Sequence, residues 1–134
     1  MGRQVDSDLN KLDMEAIATA LQEYLFSAQR FLDQHPQETE EFKQQVHEKM
    51  ELAKSAQKNF SSFSPNVKLG EIRLAYSCLY DFRRNLVKIL ASQKTPEKIR
   101  TSALRMQQPA ESAFTKLRTI LVSLGDNPAD YEAN

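Results

Sequence analysis

Tryptophan is absent, cysteine occurs once, and glycine and proline number only 3 and 5 in 134 residues. One cysteine excludes an internal disulfide framework and fits a reducing compartment. So few glycines and prolines leave too little turn chemistry for a many-stranded sandwich or barrel. Apolar runs stop after a few residues, far short of the roughly 20 that a membrane-spanning helix needs. The opening residues Met1-Gly2-Arg3-Gln4-Val5-Asp6 contain no apolar stretch of the secretory kind. The expectation is a cytoplasmic chain with no membrane contact.

What is present is the composition of a folded domain. Hydrophobic residues make up 40% and charged residues 27%, which is ordinary for a globular protein. A chain of this size buries enough surface to fold without metal or disulfide. It is read as one domain over 1–134, with flexible tails at 1–8 and 126–134.

His35-Pro36, Ser64-Pro65 and Thr95-Pro96 divide the chain into four segments. Proline suits the first turn of a helix and pushes its predecessor out of helical geometry. Ser64 and Thr95 are good N-cap types, and acids follow Pro36 and Pro96, where they oppose the helix dipole. Gly125 followed by Pro128 reads as a stop. The apolar residues within each segment recur at steps of three and four. The predicted helices span about 9–34, 37–62, 66–92 and 96–124. Their apolar stripes run from Met14 to Leu32, from Phe42 to Phe60, from Ile72 to Ile89 and from Ile99 to Leu124. Long helices joined by short connections predict an all-α, antiparallel four-helix bundle. Pro109 lies within the fourth segment, in phase with its stripe, so a kink or two coaxial pieces are expected there. The third helix has the widest apolar face and is expected to be the most buried.

No motif carries chemistry. A carboxylate-bridged di-metal bundle needs Glu-x-x-His on two helices. Only His35 and His47 are present, and the residue three before His47 is Gln44. Cys78 has no histidine on its own helix and reads as a small packing residue. Gly70 stands alone and makes no phosphate loop. No catalytic residue, metal or cofactor is assigned, and the expectation is a non-enzyme. Arg83 falls inside the apolar sector of its helix, which predicts a structural ion pair or a stem laid along the bundle, with a face that meets a partner as the alternative.

Charge is neutral overall but segregated. Residues 1–65 hold 7 Lys/Arg against 11 Asp/Glu, residues 66–118 hold 11 against 4, and residues 119–134 hold none against 3. On the third helix Arg73, Arg84 and Lys88 share a face with Tyr80. On the fourth, Lys98, Arg105 and Lys116 line one flank, and Arg100 and Arg118 the other. If these faces met, they would form a positive stripe suited to phosphates, with Tyr80 able to stack on a base. The same face could pair with the acidic row Glu41, Glu48 and Glu51, within the bundle or across a dimer. The acidic tail is suited to screen it.

Two function classes follow. One is a subunit that binds RNA or single-stranded DNA through Arg73, Tyr80, Arg84, Lys88, Lys98, Arg105 and Lys116. The other is a protein–protein adaptor, a small chaperone-like subunit or a self-associating bundle, using exposed apolar residues such as Val87. In its size, helicity and basic face, taken over the whole chain, the protein resembles the small helical-bundle subunits of RNA-guided CRISPR effector complexes. That resemblance implies a non-catalytic role lining a nucleic acid.

Overall fold

The computed structural model describes residues 9–61 and 67–132. Four helices account for most of them: α1 Lys11–Gln34, α2 Glu40–Ser61, α3 Leu69–Ala91 and α4 Glu97–Ser123. A short 3₁₀ turn, Pro128–Tyr131, follows α4. α1 packs along α2 and α3 along α4, and α1 also touches α3 and α4, while α2 and α4 do not meet among the described residues. The architecture is the antiparallel four-helix bundle expected from the periodicity.

Each helix end has an identifiable cause. Asn10 and Asp13 form a capping box at the start of α1: the Asp13 N–H donates to Asn10 Oδ1 at 2.8 Å, and the Asn10 N–H donates to Asp13 Oδ2 at 3.0 Å. His35 closes that helix, with Nδ1 2.9 Å from the Phe31 carbonyl and its ring stacked on Phe31. α2 begins later than the proline signal suggested. Pro36 sits in a turn closed by the Glu38 N–H on the His35 carbonyl, and Thr39 is the cap, accepting from the Phe42 N–H at 3.1 Å. Ser64, expected to cap α3, lies outside the described residues. Thr95 does not cap α4 with its side chain; its hydroxyl reaches back to the Ile89 carbonyl at 2.8 Å. The Arg100 guanidinium also caps the end of α3, donating to the carbonyls of Leu90 and Ser92. A cation there opposes the negative end of the helix dipole.

At the end of α4, Gly125 takes φ +87. The Asp126 N–H then reaches the Leu121 carbonyl and the Gly125 N–H the Val122 carbonyl, both at 3.0 Å, which is the Schellman closure. α4 runs through Pro109 as one helix rather than two pieces. A proline in a helix interior leaves the carbonyl four residues earlier without its donor; here that is Arg105. Pro109→Ala is expected to raise stability by about 1–2 kcal/mol, less than the roughly 3 kcal/mol of the intrinsic scale because the helix has already adapted. A urea midpoint at or below that of the parent would contradict this.

α3 holds nine buried residues, the most of any helix. Tyr76, Phe60, Met14, Ile17, Leu21, Ile72, Leu79, Leu117 and Leu121 are all under 2% exposed. Three expected core positions near helix ends are exposed: Phe42 at 38%, Ile99 at 50% and Leu124 at 41%. Periodicity gives a side chain its face, but near a helix end the neighbouring helices stop covering it. The buried residues of α2, namely Met50, Ala53, Ala56 and Phe60, all lie from its midpoint onward.

The segment after α4, expected to be flexible, is ordered through Glu132. Asn127 caps the 3₁₀ turn through the Ala129 N–H, and Pro128 is buried. This turn packs on α3 and α4. No helix among the described residues is long and apolar enough to cross a membrane.

Candidate partner-binding surface

The seven basic-face residues do not form one stripe. Arg73, Arg84 and Lys88 line the flank of α3 that looks toward α1 and α2, whereas the Tyr80 ring lies 6.2 Å from that of Phe114 of α4. Arg73 and Arg84 line a cavity of 640 Å³ with Lys49 and Leu52 of α2. Arg84 and Lys88 line a smaller one of 270 Å³ with Glu23, Tyr24 and Ser27 of α1. Lys116 instead reaches α1 from α4, with Nζ 2.6 Å from Asp13 Oδ2. Arg105 and Lys98 stand on the same row of α4 by spacing and are exposed. The outer face between the two rows carries the Arg83–Glu111 pair, with Val87 61% and Leu104 57% exposed.

Several cations are already committed. Arg73 donates two hydrogen bonds to Asp126, Nε to Oδ2 at 2.7 Å and an amino nitrogen to Oδ1 at 2.9 Å, and its guanidinium lies 5.5 Å from the Tyr131 ring centroid. The Arg73 contact holds the Asp126 carboxyl below its usual range, and the same contact raises Arg73. Lys116 belongs to Asp13. Arg83 resolves as a structural ion pair: it donates two hydrogen bonds to Glu111 at 2.8 and 2.7 Å and sits 3.9 Å over the Phe114 ring. Glu41, Glu48 and Glu51 of α2 pair with no cation of α3 or α4 among the described residues; Glu51 takes Lys54 at 3.2 Å. The internal partners are acids from the start of α1, the middle of α4 and the segment after α4.

The remaining cations on the α3 flank are Arg84 and Lys88, joined by Lys49 of α2. None closes an ion pair among the described residues. Arg84 lies 5.6 Å from the Tyr80 ring centroid, a cation–π contact rather than a neutralising one. Leu52, Leu74 and Tyr131 give the larger cavity its apolar wall, and Asp81, Asp130 and Glu132 put acids among the bases. Sequence reasoning missed Lys49 because its place beside α3 depends on how α2 packs, which no local pattern encodes. Gly70 is helical and lines this cavity; a Cβ there would meet only Leu52 Cδ2, at 4.0 Å.

Neither cavity brings together an activated nucleophile and a base. In the smaller one, burial and the Asp81 charge push the Cys78 thiol up to about 12, against an opposing influence from Lys49. Burial pushes Tyr24 up to about 12, and Cys78 adds to it. A thiol at about 12 holds roughly a thousandfold less thiolate than one at its usual 9.0. Labelling of Cys78 by a disulfide reagent at pH 8 is therefore expected to be at least about a hundredfold slower in the folded chain than in urea. Equal rates would place the thiol in solvent. His47 is exposed and His35 is spent on its helix cap, and no group of three or more metal-ligating side chains occurs among the described residues.

Comparison with protein families, with curated proteins and with solved structures returns no match.

Proposed function

We propose that the protein is a non-catalytic binding module whose contact surface is the α2–α3 flank, and that it receives a short acidic segment of a protein partner. The carrying observation is the set Lys49, Arg84 and Lys88, which close no ion pair among the described residues: Lys49 and Arg84 line the cavity with the apolar wall, and Arg84 and Lys88 line the smaller cavity that shares Arg84 with it. Charge complementarity supplies orientation and encounter rate, while the apolar wall supplies burial.

A phosphate backbone fits this surface less well. Backbone binding draws its affinity from an uninterrupted set of cations that release counterions. Here Asp81, Asp130 and Glu132 stand among the bases, and on α4 Lys116 is taken by Asp13 and Arg100 by the carbonyls at the end of α3. Salt titrations with single-stranded RNA and DNA separate the two readings. Arg84→Glu with Lys88→Glu is expected to leave nucleic-acid binding weak and unchanged, and to weaken an acidic peptide by about tenfold, or roughly 1.4 kcal/mol. Tight RNA binding whose salt dependence falls on making these substitutions would restore the nucleic-acid reading.

A further inference from the structure

The α2–α3 cavity is bounded by the chain itself. Beyond the Gly125 turn, residues Asp126 to Glu132 fold back on α3 and are held at four points. Asp126 takes the Arg73 guanidinium at 2.7 and 2.9 Å. Tyr131 lies under the same guanidinium and its hydroxyl donates to Asp126 Oδ2 at 3.3 Å. Pro128 is buried. Glu132 Oε2 accepts from the Tyr76 hydroxyl at 2.7 Å.

From these contacts we infer that Asp126–Glu132 is an internal pseudo-ligand, occupying in cis part of the surface that an acidic, aromatic-containing peptide of a partner takes in trans. The inference rests on the proposed function of this flank and names the partner's chemistry and its regulation. The segment is acidic and carries one aromatic ring. It sits against Arg73, which among the described residues is the guanidinium of this flank paired with a carboxylate, and its Asp130, Tyr131 and Glu132 form one wall of the cavity. The space left, 640 Å³, is bordered by Lys49, Leu52, Leu74, Ser77 and Arg84, so the segment leaves cations and an apolar wall unused. A tethered ligand a few residues from its anchor has an effective concentration in the millimolar range. It therefore excludes competitors of ordinary affinity until displaced.

The test uses the full chain and a labelled peptide of sequence Asp-Asn-Pro-Ala-Asp-Tyr-Glu with both ends blocked, read by fluorescence anisotropy. Asp126→Asn with Tyr131→Ala removes two of the four anchors, and Asp126→Lys is a second route to release that leaves the aromatic ring in place. Far-UV circular dichroism and a cooperative melt establish that each variant is folded. The released chains are expected to bind the peptide at least about tenfold more tightly than the parent, and to lose that gain when Arg73→Ala, which removes the guanidinium that holds Asp126 and Tyr131, is added. Equal binding by parent and released chains would overturn the pseudo-ligand role while leaving the flank as a peptide site. Failure of both folded released chains to bind the peptide would overturn the inference and, with it, the proposed function of the flank.

Discussion

Glu71→Ala is expected to cost about 3 kcal/mol in equilibrium urea unfolding, with the midpoint falling and the slope unchanged. Glu71 is fully buried in the first turn of α3. Its carboxylate accepts from the Ser55 hydroxyl, from the Asn59 amide at 2.9 and 3.1 Å, and from the Lys68 N–H at 3.0 Å. One side chain therefore caps α3 and joins it to the end of α2. Alanine removes the acceptor for all three donors, and each donor left unsatisfied costs about 1–3 kcal/mol unless water reaches it. Ser55 is exposed and Asn59 half-buried, so partial rehydration keeps the sum at the low end. Glu71→Gln keeps one acceptor oxygen but turns an amide toward the Asn59 amide, and should lose about half as much. A loss below about 1 kcal/mol for Glu71→Ala would mean that the network is not a fixed part of the fold.

Lys116→Met should be the next most damaging change, at about 2–3 kcal/mol by the same measurement. Asp13 is 1% exposed, and Lys116 Nζ lies 2.6 Å from its Oδ2. The other oxygen, Oδ1, closes no hydrogen bond, although the Ser112 hydroxyl is near enough to favour the charged form. Removing the cation leaves a buried carboxylate supported only by the capping-box N–H and Ser112. Breaking a fully buried pair costs roughly 3–5 kcal/mol; the lysine side chain is 36% exposed, so water lowers the figure here. Asp13→Asn in the Lys116→Met background should recover more than half of the loss, because a neutral amide can still accept from the Asn10 N–H. If the double variant is no more stable than Lys116→Met alone, the cost comes from lysine packing and not from the uncompensated charge.

The same two carboxylates set the acid limit of the fold. Burial pushes the pKa of each up. For Glu71 the Ser55, Lys68 and Asn59 donors outweigh burial, and for Asp13 Lys116, Asn10 and Ser112 do so, leaving both below their usual values of 4.5 and 3.8. A carboxyl with a depressed folded-state pKa contributes its full stability above the unfolded value and loses it as pH falls through the folded one. Stability should therefore hold down to about pH 5 and fall steeply below about 4, and Glu71→Gln should flatten part of that fall in thermal melts taken across the range.

The helices were legible because their causes are local. Steps of three and four in the apolar residues, X-Pro junctions and Gly125 are each readable within one segment, and they predicted four helices and a buried α3. Caps were misassigned where two local signals competed. At the α1–α2 turn Pro36 marked a helix start, and Thr39, three residues later, took the cap. At the α3–α4 turn, Thr95 hydrogen-bonded backward rather than forward. Arg83 was legible in part: its place on an apolar helical face predicted either an ion pair or a stem laid along the bundle, and the packing of α3 on α4 supplied Glu111.

Sequence alone determined the four amphipathic helices, their limits to within a few residues and the segregation of charge along the chain, because helix periodicity and capping act over one or two turns. Tertiary structure alone decided which charges remain unpaired. Arg73 met Asp126, 53 positions away, and Lys116 met Asp13, 103 positions away. Whether a cation faces solvent, a carboxylate or a cavity depends on which helix lies beside it and at what level, and helix packing fixes that for all four helices together.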